Sequence, residues 1–215
     1  MQEMNMEARN EFEIHGNDRP LKRKKSDEPT VVSLPIRPNK RYLYSESFAS
    51  YAINKPFQCF VLPDFFDEET VCGLRQSLDE FGFPLERLND LHEFYQTPDL
   101  KTVQHGPLDS LTQFFSSKEF IDIIQRATSL SDLVIGQVDV SGQRYDAGGY
   151  LACHDDDVKE EKGAGRRVAF ILYLVDGDWN VGLNGGSLDL YSLYVCLNLC
   201  KINLCLGMTL ADRIE

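Results

Sequence analysis

The chain has 215 residues, of which 42% are hydrophobic and 26% charged, and its formal net charge is −12. This length suits one globular domain with appendages, and the apolar fraction is sufficient for a buried core. The acidic balance argues against nucleic-acid binding by the whole molecule, although a basic protein partner remains compatible with it. Because the sequence has no signal-peptide-like segment and no run of 18 apolar residues, we expect an intracellular protein without a membrane span. Its six cysteines are then expected to be thiols.

The first 50 residues are predicted to form a disordered tail. They are polar, contain four prolines and show no sustained hydrophobic period. Within this tail, Leu21–Lys25 reads LKRKK, a compact basic cluster. Such a cluster is typical of a nuclear import signal or of a contact with an acidic surface, and it also occurs as a solvated charge run in a disordered arm.

Residues 51–131 are predicted to contain a strand and several helices. Alternating residues favour a strand over 57–63, and an apolar stripe predicts a helix over 67–81, with Asp67 as its N-cap and Gly82 beyond its end. A helical period returns over 108–124, and this pattern fits two helices or one broken helix equally well.

Between these helices, residues 85–106 are polar and are predicted to be irregular. They contain His92 and His105, either of which could approach a metal site in space. An isolated loop histidine is more often a surface group, so the sequence favours that reading.

From residue 132 onward the periodicity changes from helical to alternating, which predicts clustered strands. Helices followed by clustered strands indicate an α+β chain whose sheet folds on itself as a barrel or a sandwich. The predicted elements are strands over 132–145, 166–175 and 185–191, a glycine turn over 146–149 and a loop over 176–184, with 166–175 apolar enough to be a central strand.

A candidate metal site lies between these strands, where Tyr150–Asp157 reads YLACHDDD. His154 and Asp156, two residues apart, can present an imidazole nitrogen and a carboxylate oxygen to one point. Two histidines and one carboxylate are a common ligand set for non-haem Fe(II), but no histidine follows His154. The same residues could instead form a solvated acidic loop, or a Ca²⁺ loop that lacks the donor spacing of an EF-hand.

Three blocks of this region resemble the catalytic domain of the ribosomal prolyl 3-hydroxylases. These are iron- and 2-oxoglutarate-dependent oxygenases that hydroxylate a proline of a small-subunit ribosomal protein. The resemblance extends more loosely over residues 57–66 and 88–96, and it spans roughly residues 55–192. The three blocks are Leu151–Asp157, Arg166–Val175 and Gly185–Ser192.

The resemblance implies a fold and a set of site residues. N-terminal helices over 51–131 would pack on a partial double-stranded β-helix, or jelly roll, whose first part is 132–192. His154 and Asp156 would bind Fe(II), and the hydroxyl of Tyr173 would bind 2-oxoglutarate. Arg166 and Arg167 would be structural or rim charges.

The resemblance also implies cofactors, partners and a location. O₂ would be the second cosubstrate and L-ascorbate a cofactor. A small-subunit ribosomal protein would be the substrate, in the nucleus and cytoplasm, with no direct binding of nucleic acid.

After Ser192 the resemblance ends in a cysteine-rich tail, residues 193–215. The tail contains no histidine, and Arg213 is its one arginine, so the family's distal iron ligand and 2-oxoglutarate-binding arginine have no counterpart. We therefore expect a truncated or alternatively spliced product, or a gene model that reads into non-coding sequence. Its catalysis would be weak or absent, and missing strands would expose sheet edges. The alternative is a non-catalytic binding or regulatory protein that engages a basic ribosomal partner.

Overall fold

Five helices and ten strands are present in the part of the chain that the computed structural model describes, namely residues 36–54, 58–154, 165–192, 195–202 and 207–212. All of these residues belong to one unit, residues 32–215. The helices are α1 Lys40–Leu43, α2 Glu68–Phe81, α3 Pro107–Phe115, α4 Lys118–Thr128 and α5 Val181–Asn184. The strands are β1 Ala52–Ile53, β2 Cys59–Pro63, β3 Leu85–Asn89, β4 His92–Gln96, β5 Gln143–Arg144, β6 Tyr150–Leu151, β7 Val168–Leu172, β8 Leu188–Ser192, β9 Val195–Ile202 and β10 Gly207–Asp212.

The sequence prediction for helix α2 is confirmed at both of its ends. The carboxylate of Asp67 accepts a hydrogen bond from the backbone N–H of Thr70 at 2.8 Å, which is the N-cap contact. Gly82 follows the last helical residue with a φ of 82°, a conformation in which glycine carries no Cβ penalty. The predicted apolar stripe is buried, with Leu74 fully enclosed.

The helical region after residue 107 consists of two separate helices. Helix α4 begins behind Ser117, whose side-chain oxygen accepts a hydrogen bond from the N–H of Phe120 at 3.2 Å. Rings from α3 and α4 meet a ring from β7: Phe115 and Phe170 lie 4.8 Å apart between centroids, and Phe120 and Phe170 lie 5.2 Å apart. Because aromatic rings bury large apolar areas, this contact joins the helices to the sheet that contains β7.

The first sheet has four strands in the order β1-β2-β10-β7, and its pairs are antiparallel. Its strand β10 comes from the tail after residue 193, for which we expected a loss of strands and exposed edges. That expectation is wrong for β10, because Leu210 pairs with Phe60 of β2 on one side and with Phe170 of β7 on the other. The prediction that the apolar run 166–175 is a central strand is also wrong, since β7 is the last strand of this sheet among those described.

The prediction of irregular structure over 85–106 is wrong for residues 85–96, where β3 and β4 form a hairpin. Asn89 pairs with His92, and the Asn89 side-chain oxygen accepts hydrogen bonds from the N–H groups of Leu91 and His92 at 2.8 and 3.1 Å. This local turn lets polar residues form a strand pair that a hydrophobic pattern does not reveal. Strands β5 and β6 both pair with the other edge of β4, and β8 and β9 form a third, two-stranded sheet.

The tail predicted over residues 1–50 is too long, because residues 36–54 pack on the rest of the unit. Tyr42 is fully buried against the rings of Phe48 and Phe65. The guanidinium of Arg126 on α4 donates hydrogen bonds to the backbone oxygens of Tyr42 and Ser45, at 3.1 and 2.9 Å. These irregularly spaced aromatic anchors have no period, which explains why the pattern did not reveal them. The basic cluster Leu21–Lys25 lies outside the described residues.

The strand predicted over 132–145 is confirmed only at its end, where Gln143 and Arg144 form β5. Val134 and Ile135 are exposed in a turn that contains Gly136 with a φ of 79°. None of the described strands pairs with this segment, and a strand needs a partner for its backbone groups.

Candidate active site

The segment that leads to His154 is held by the β3–β4 hairpin. Strand β6 pairs with β4, with Leu151 opposite His92, and the N–H of Ala152 donates to the backbone oxygen of Leu91 at 2.8 Å. The hydroxyl of Tyr150 donates to the backbone oxygen of Asn89 at 3.2 Å. The hairpin therefore fixes the backbone two residues before the imidazole.

The turn predicted over 146–149 is present before β6, and it brings two backbone segments close together. The N–H of Gly149 donates to the backbone oxygen of Asp146 at 2.8 Å. A Cβ at position 149 would lie 2.9 Å from the backbone oxygen of Glu93 and 3.0 Å from that of Asp146. Glycine is therefore needed where this turn approaches β4.

The imidazole of His154 is held in one tautomer by a backbone contact. Its Nδ1 lies 2.8 Å from the carbonyl oxygen of Ala152. Because a carbonyl oxygen can only accept, Nδ1 carries the proton, and in the neutral ring Nε2 carries the lone pair. A metal-binding histidine commonly has this arrangement, in which the other ring nitrogen donates to a carbonyl. The exposed ring is thus chemically suited to bind a metal ion.

The structure leaves the second predicted ligand untested, because Asp156 lies in the range 155–164, outside the described residues. Within the described ranges, no group of three or more histidine, cysteine, aspartate and glutamate side chains could hold a metal ion. His154 is consequently the one predicted iron ligand within the described residues, and the pairing of His154 with Asp156 stays a prediction.

Tyr173 follows the last residue of β7 and lies in a small apolar cluster. Its hydroxyl oxygen is buried, and the cluster consists of Cys59 and Leu190 with partly buried neighbours that include Leu188 of β8. Side chains alternate along a strand, so Tyr173 lies on the face opposite to Phe170, which contacts the helices. Tyr173 therefore projects between the first sheet and β8, whereas His154 follows a strand of the second sheet.

The two other histidines that the sequence analysis considered have distinct environments. His92 lies in β4, the strand that pairs with β6. Its Nε2 atom is 3.2 Å from the side-chain nitrogen of Asn89. His105 precedes α3, where its ring packs edge-on against Phe81 with centroids 5.6 Å apart.

Both arginines at the start of the β7 segment form ion pairs, in agreement with their predicted structural role. Arg166 lies 3.1 Å from a carboxylate oxygen of Asp139, and Arg167 lies 2.9 Å from one of Asp132. These contacts join the loop before β5 to the segment that enters β7.

Sequence reasoning missed the residues that support the site. Leu91 and Asn89 hold the His154 segment through backbone oxygens, and a backbone contact leaves no mark in the side-chain pattern. The Asn89-Asp90 pair, typical of turns, was the available signal. Cys59, which lies beside Tyr173 in the cluster, is about 110 positions away in sequence, and only sheet pairing reveals its proximity.

Comparison with known proteins identifies relatives of this chain. Residues 140–200 match the model of the 2OG-Fe(II) oxygenase superfamily. Prolyl 3-hydroxylase OGFOD1 of Mus musculus is 35% identical over 138 residues, which are 63% of this chain and 23% of that protein. Prolyl 3-hydroxylase OGFOD1 of Xenopus laevis is 34% identical over 149 residues, 68% of this chain and 27% of that protein. Prolyl 3,4-dihydroxylase OGFOD1 of Ostreococcus tauri is 27% identical over 169 residues, 70% of this chain and 32% of that protein.

The chain spans 23% to 32% of the length of these three relatives. The oxygenase superfamily has a jelly-roll core and uses Fe(II), 2-oxoglutarate and O₂, and the mixed helix and sheet structure is compatible with it. The resemblance found in the sequence is therefore confirmed: this chain carries a 2OG-Fe(II) oxygenase segment and is a homologue of the prolyl 3-hydroxylases.

Proposed function

We propose that this chain is an Fe(II)- and 2-oxoglutarate-dependent dioxygenase of the prolyl 3-hydroxylase type, and that it is catalytically incomplete by itself. Its substrate would be a proline of a small-subunit ribosomal protein. The observation that carries the proposal is the superfamily match over residues 140–200, which includes His154, Asp156 and Tyr173.

His154 and Asp156 would hold the iron ion. The carbonyl of Ala152 keeps the proton on Nδ1 of His154, so that Nε2 offers its lone pair to the metal. When bound, Fe(II) with 2-oxoglutarate and O₂ would supply the oxidising chemistry, in which 2-oxoglutarate loses CO₂ and becomes succinate with one oxygen atom of O₂, while the other oxygen atom hydroxylates a C–H bond. L-ascorbate would keep the iron in its reduced state.

Tyr173 would orient 2-oxoglutarate. A phenol hydroxyl that donates to a carboxylate forms a charge-assisted hydrogen bond, which is stronger than one between neutral groups. The apolar neighbours Cys59, Leu188 and Leu190 support this role, because they keep water away from the hydroxyl.

The finer description of the fold belongs to the same proposal. Helices α3 and α4 would cover the outer face of a partial jelly roll, whose larger sheet is β1-β2-β10-β7. The contacts of Phe115 and Phe120 with Phe170 support this arrangement. The site would then lie on the opposite face, toward β8.

The sequence supports an incomplete site. No histidine follows His154 within the 215 residues, and this observation supports the proposed incompleteness. Two protein ligands hold Fe(II) more weakly than three. The tail contains one arginine, Arg213, and the loss of a bidentate arginine contact would weaken the hold on the far carboxylate of 2-oxoglutarate.

The test of this proposal is an assay of succinate formation and of peptide mass. The full chain is incubated with Fe(II), ascorbate, 2-oxoglutarate and a proline-bearing peptide of a small-subunit ribosomal protein. We expect slow, iron-dependent succinate release that the His154→Ala variant abolishes and the neighbouring Asp155→Asn variant retains. Added imidazole is expected to raise the rate, because it can occupy the position of the missing histidine.

Two outcomes would contradict this proposal in different ways. Succinate release that is equal in wild type and His154→Ala would contradict the oxygenase assignment. Rapid conversion of the peptide to a product heavier by one oxygen atom, without imidazole, would contradict the incomplete site and leave the oxygenase assignment intact.

A second candidate function is a non-catalytic binding or regulatory protein. The net charge of −12 favours it, because an acidic surface attracts a basic ribosomal partner. This function predicts binding of the ribosomal protein in the presence of a metal chelator, with equal affinity for wild type and His154→Ala. A requirement for metal would argue against it.

We also propose that the chain is present in both the nucleus and the cytoplasm, with Leu21–Lys25 as the import signal. Replacing Lys22, Arg23, Lys24 and Lys25 by alanine should shift a fluorescent fusion toward the cytoplasm. An unchanged distribution would contradict this role for the cluster.

None of the described helices is long and apolar enough to cross a membrane.

A further inference from the structure

The loop over residues 176–187, which contains α5, joins the β7 segment to β8. It begins shortly after Tyr173 and ends at Leu188, the first residue of β8. The side chains of Tyr173 and Leu188 both pack against the apolar cluster of Cys59 and Leu190. The two ends of the loop therefore lie beside the proposed cosubstrate site.

The middle of the loop folds back on the same cluster. Val181, at the start of α5, packs against this cluster, as Tyr173 does. The backbone around Val181 is fixed within the loop, because the N–H of Gly185 donates to the backbone oxygen of Val181 at 2.9 Å. The indole N–H of Trp179 donates to the backbone oxygen of Gly185 at 3.1 Å. The loop thus covers part of the apolar surroundings of Tyr173.

Tyr173 lies between two side chains that are anchored on the opposite face. Leu172 and Leu174 pack against the larger core, which contains the helices, whereas Tyr173 belongs to the smaller cluster. Side chains alternate in this way along an extended chain, so the extended conformation of β7 continues to Leu174. Two positions further on, Asp176 lies toward the helices again.

An ion pair holds the start of the loop on helix α2. The guanidinium of Arg75 donates to a carboxylate oxygen of Asp176, which is 101 positions away in sequence. Arg75 follows the fully buried Leu74, so the core fixes its place on the helix. The side chains of Arg75 and Asp176 are 41% and 59% exposed, and exposed ion pairs contribute little to the stability of a whole fold. The pair is therefore suited to place the loop.

We propose that Arg75 is a positioning residue of the cosubstrate site, which acts through Asp176 to hold the 176–187 loop over the cluster around Tyr173. Arg75 itself does not contact 2-oxoglutarate in this arrangement. Without the ion pair, the loop would leave the cluster and admit water to the Tyr173 hydroxyl, and water weakens a hydrogen bond between hydroxyl and cosubstrate. This inference rests on the proposed role of Tyr173 in binding 2-oxoglutarate.

Reversal of the two charges tests this role. Isothermal titration calorimetry with Mn(II) in place of Fe(II) measures the Kd of 2-oxoglutarate. We expect Arg75→Asp and Asp176→Arg each to raise this Kd about two- to fivefold, the range open to an exposed ion pair. The double variant Arg75→Asp/Asp176→Arg should restore the wild-type Kd. The single variants change the net charge in opposite directions, so a long-range effect of charge on the acidic cosubstrate would shift their Kd values in opposite directions.

A second measurement follows the loop without any ligand. Trp179 is the only tryptophan among the 215 residues, and it lies inside the loop. Quenching of its fluorescence by acrylamide should increase in both single variants, because the loop becomes more accessible. The double variant should return to the wild-type value.

The matched control is Lys118→Asp, which breaks the exposed ion pair with Asp122 on α4 and should change neither measurement. Circular dichroism identical to wild type confirms that each variant is folded. Should a charge-reversed variant fail to fold, Arg75→Gln and Asp176→Asn take its place. Each is expected to raise the Kd and the quenching, and their combination should have no larger effect than either alone.

The outcomes separate this inference from the proposed function. Wild-type Kd or wild-type quenching in a single variant, opposite shifts of the Kd, or a double variant as weak as the single variants would overturn the role of Arg75. If Tyr173→Phe weakens binding under these conditions, the proposed site stands without it. If Tyr173→Phe binds as wild type does, or the wild type does not bind 2-oxoglutarate, the proposed site fails and this inference fails with it.

Discussion

At the scale of single residues, the proposed contact between the buried hydroxyl of Tyr173 and 2-oxoglutarate can be tested directly. We predict that Tyr173→Phe weakens the binding of 2-oxoglutarate in the presence of Mn(II), a redox-inert substitute for Fe(II). A hydrogen bond to a charged group contributes about 1.5–3 kcal/mol, which corresponds to roughly a ten- to hundredfold rise in Kd. Isothermal titration calorimetry measures this change directly.

The matched control is Tyr145→Phe, which removes an exposed hydroxyl that donates to the side chain of Gln143. It should leave the affinity for 2-oxoglutarate unchanged. Equal Kd values for wild type and Tyr173→Phe would exclude the proposed role of Tyr173 in orienting the cosubstrate.

Asp67 is the residue for which the structure predicts a pH dependence of stability. Hydrogen bonds from the side chain and the backbone N–H of Thr70 lower the pKa of Asp67. A lowered pKa means that the folded chain favours the carboxylate, so the cap's contribution is present above the ordinary pKa of about 3.9 and is lost as the pH falls through the lowered value. Asp67→Ala should therefore cost about 1 kcal/mol near neutral pH and much less in strong acid.

Urea unfolding at several pH values measures this effect. Asp67→Asn is the control, because an asparagine caps a helix about as well as an aspartate and does not titrate. A cost of Asp67→Ala that does not change between neutral and strongly acidic pH would contradict the role of the carboxylate.

At the scale of elements, helices were predictable because their signals are local. Asp67, Ser117 and Gly82 mark helix ends through contacts with residues at most four positions away. An apolar stripe likewise depends on spacing within one element. For this reason the bounds of α2 could be predicted from the sequence alone, whereas the pattern over 108–124 fitted two helices and one broken helix equally well.

Strands were less predictable because their pairing is not local. Strand β10 lies between β2 and β7, which are about 145 and 40 positions away in sequence, and no periodicity encodes that insertion. The hairpin β3–β4 consists of polar residues, so its signal was the turn at Asn89 and not a hydrophobic alternation. Conversely, residues 132–142 alternate in sequence but pair with no strand in the part of the chain that the structure describes.

The central position of β10 leads to a prediction for Thr209. Its backbone lies between Val61 of β2 and Ile171 of β7, and a proline there would remove a donor from the ladder. We expect Thr209→Pro to cost about 3 kcal/mol, which lowers the melting temperature by roughly 6–12 °C for a chain of this size.

Thermal unfolding followed by circular dichroism provides the measurement. Thr209→Val, which keeps the N–H and suits a strand, should melt within a few degrees of the wild type. If Thr209→Pro and Thr209→Val had the same melting temperature, the result would contradict the position of β10 between β2 and β7.

At the scale of the whole molecule, the two faces of the sheet β1-β2-β10-β7 contribute to apolar clusters of different size. One face packs on the helices through Phe170, where a large aromatic core provides most of the buried apolar surface. The other face carries Tyr173 and packs on β8 through a smaller cluster. The proposed cosubstrate site is thus on the thinly covered face, and stability resides mainly on the other.

The sequence could nominate candidate residues for the site, but it could not predict their surroundings. The spacing of His154 and Asp156, and the blocks around them, identified the oxygenase segment from the sequence. The tautomer of His154 could not be predicted, because it depends on the carbonyl of Ala152 and on the fold of that turn. The cluster around Tyr173 likewise depends on strands that are distant in sequence.

The most direct test of the account is the coupling between metal and cosubstrate in the full chain. Calorimetry with and without Mn(II) should show that the metal strengthens 2-oxoglutarate binding at least about tenfold, a coupling of about 1.4 kcal/mol. His154→Ala should abolish this coupling, and Asp155→Asn should retain it. Equal affinities with and without the metal, or full coupling in His154→Ala, would contradict the proposal that His154 anchors an iron and 2-oxoglutarate site.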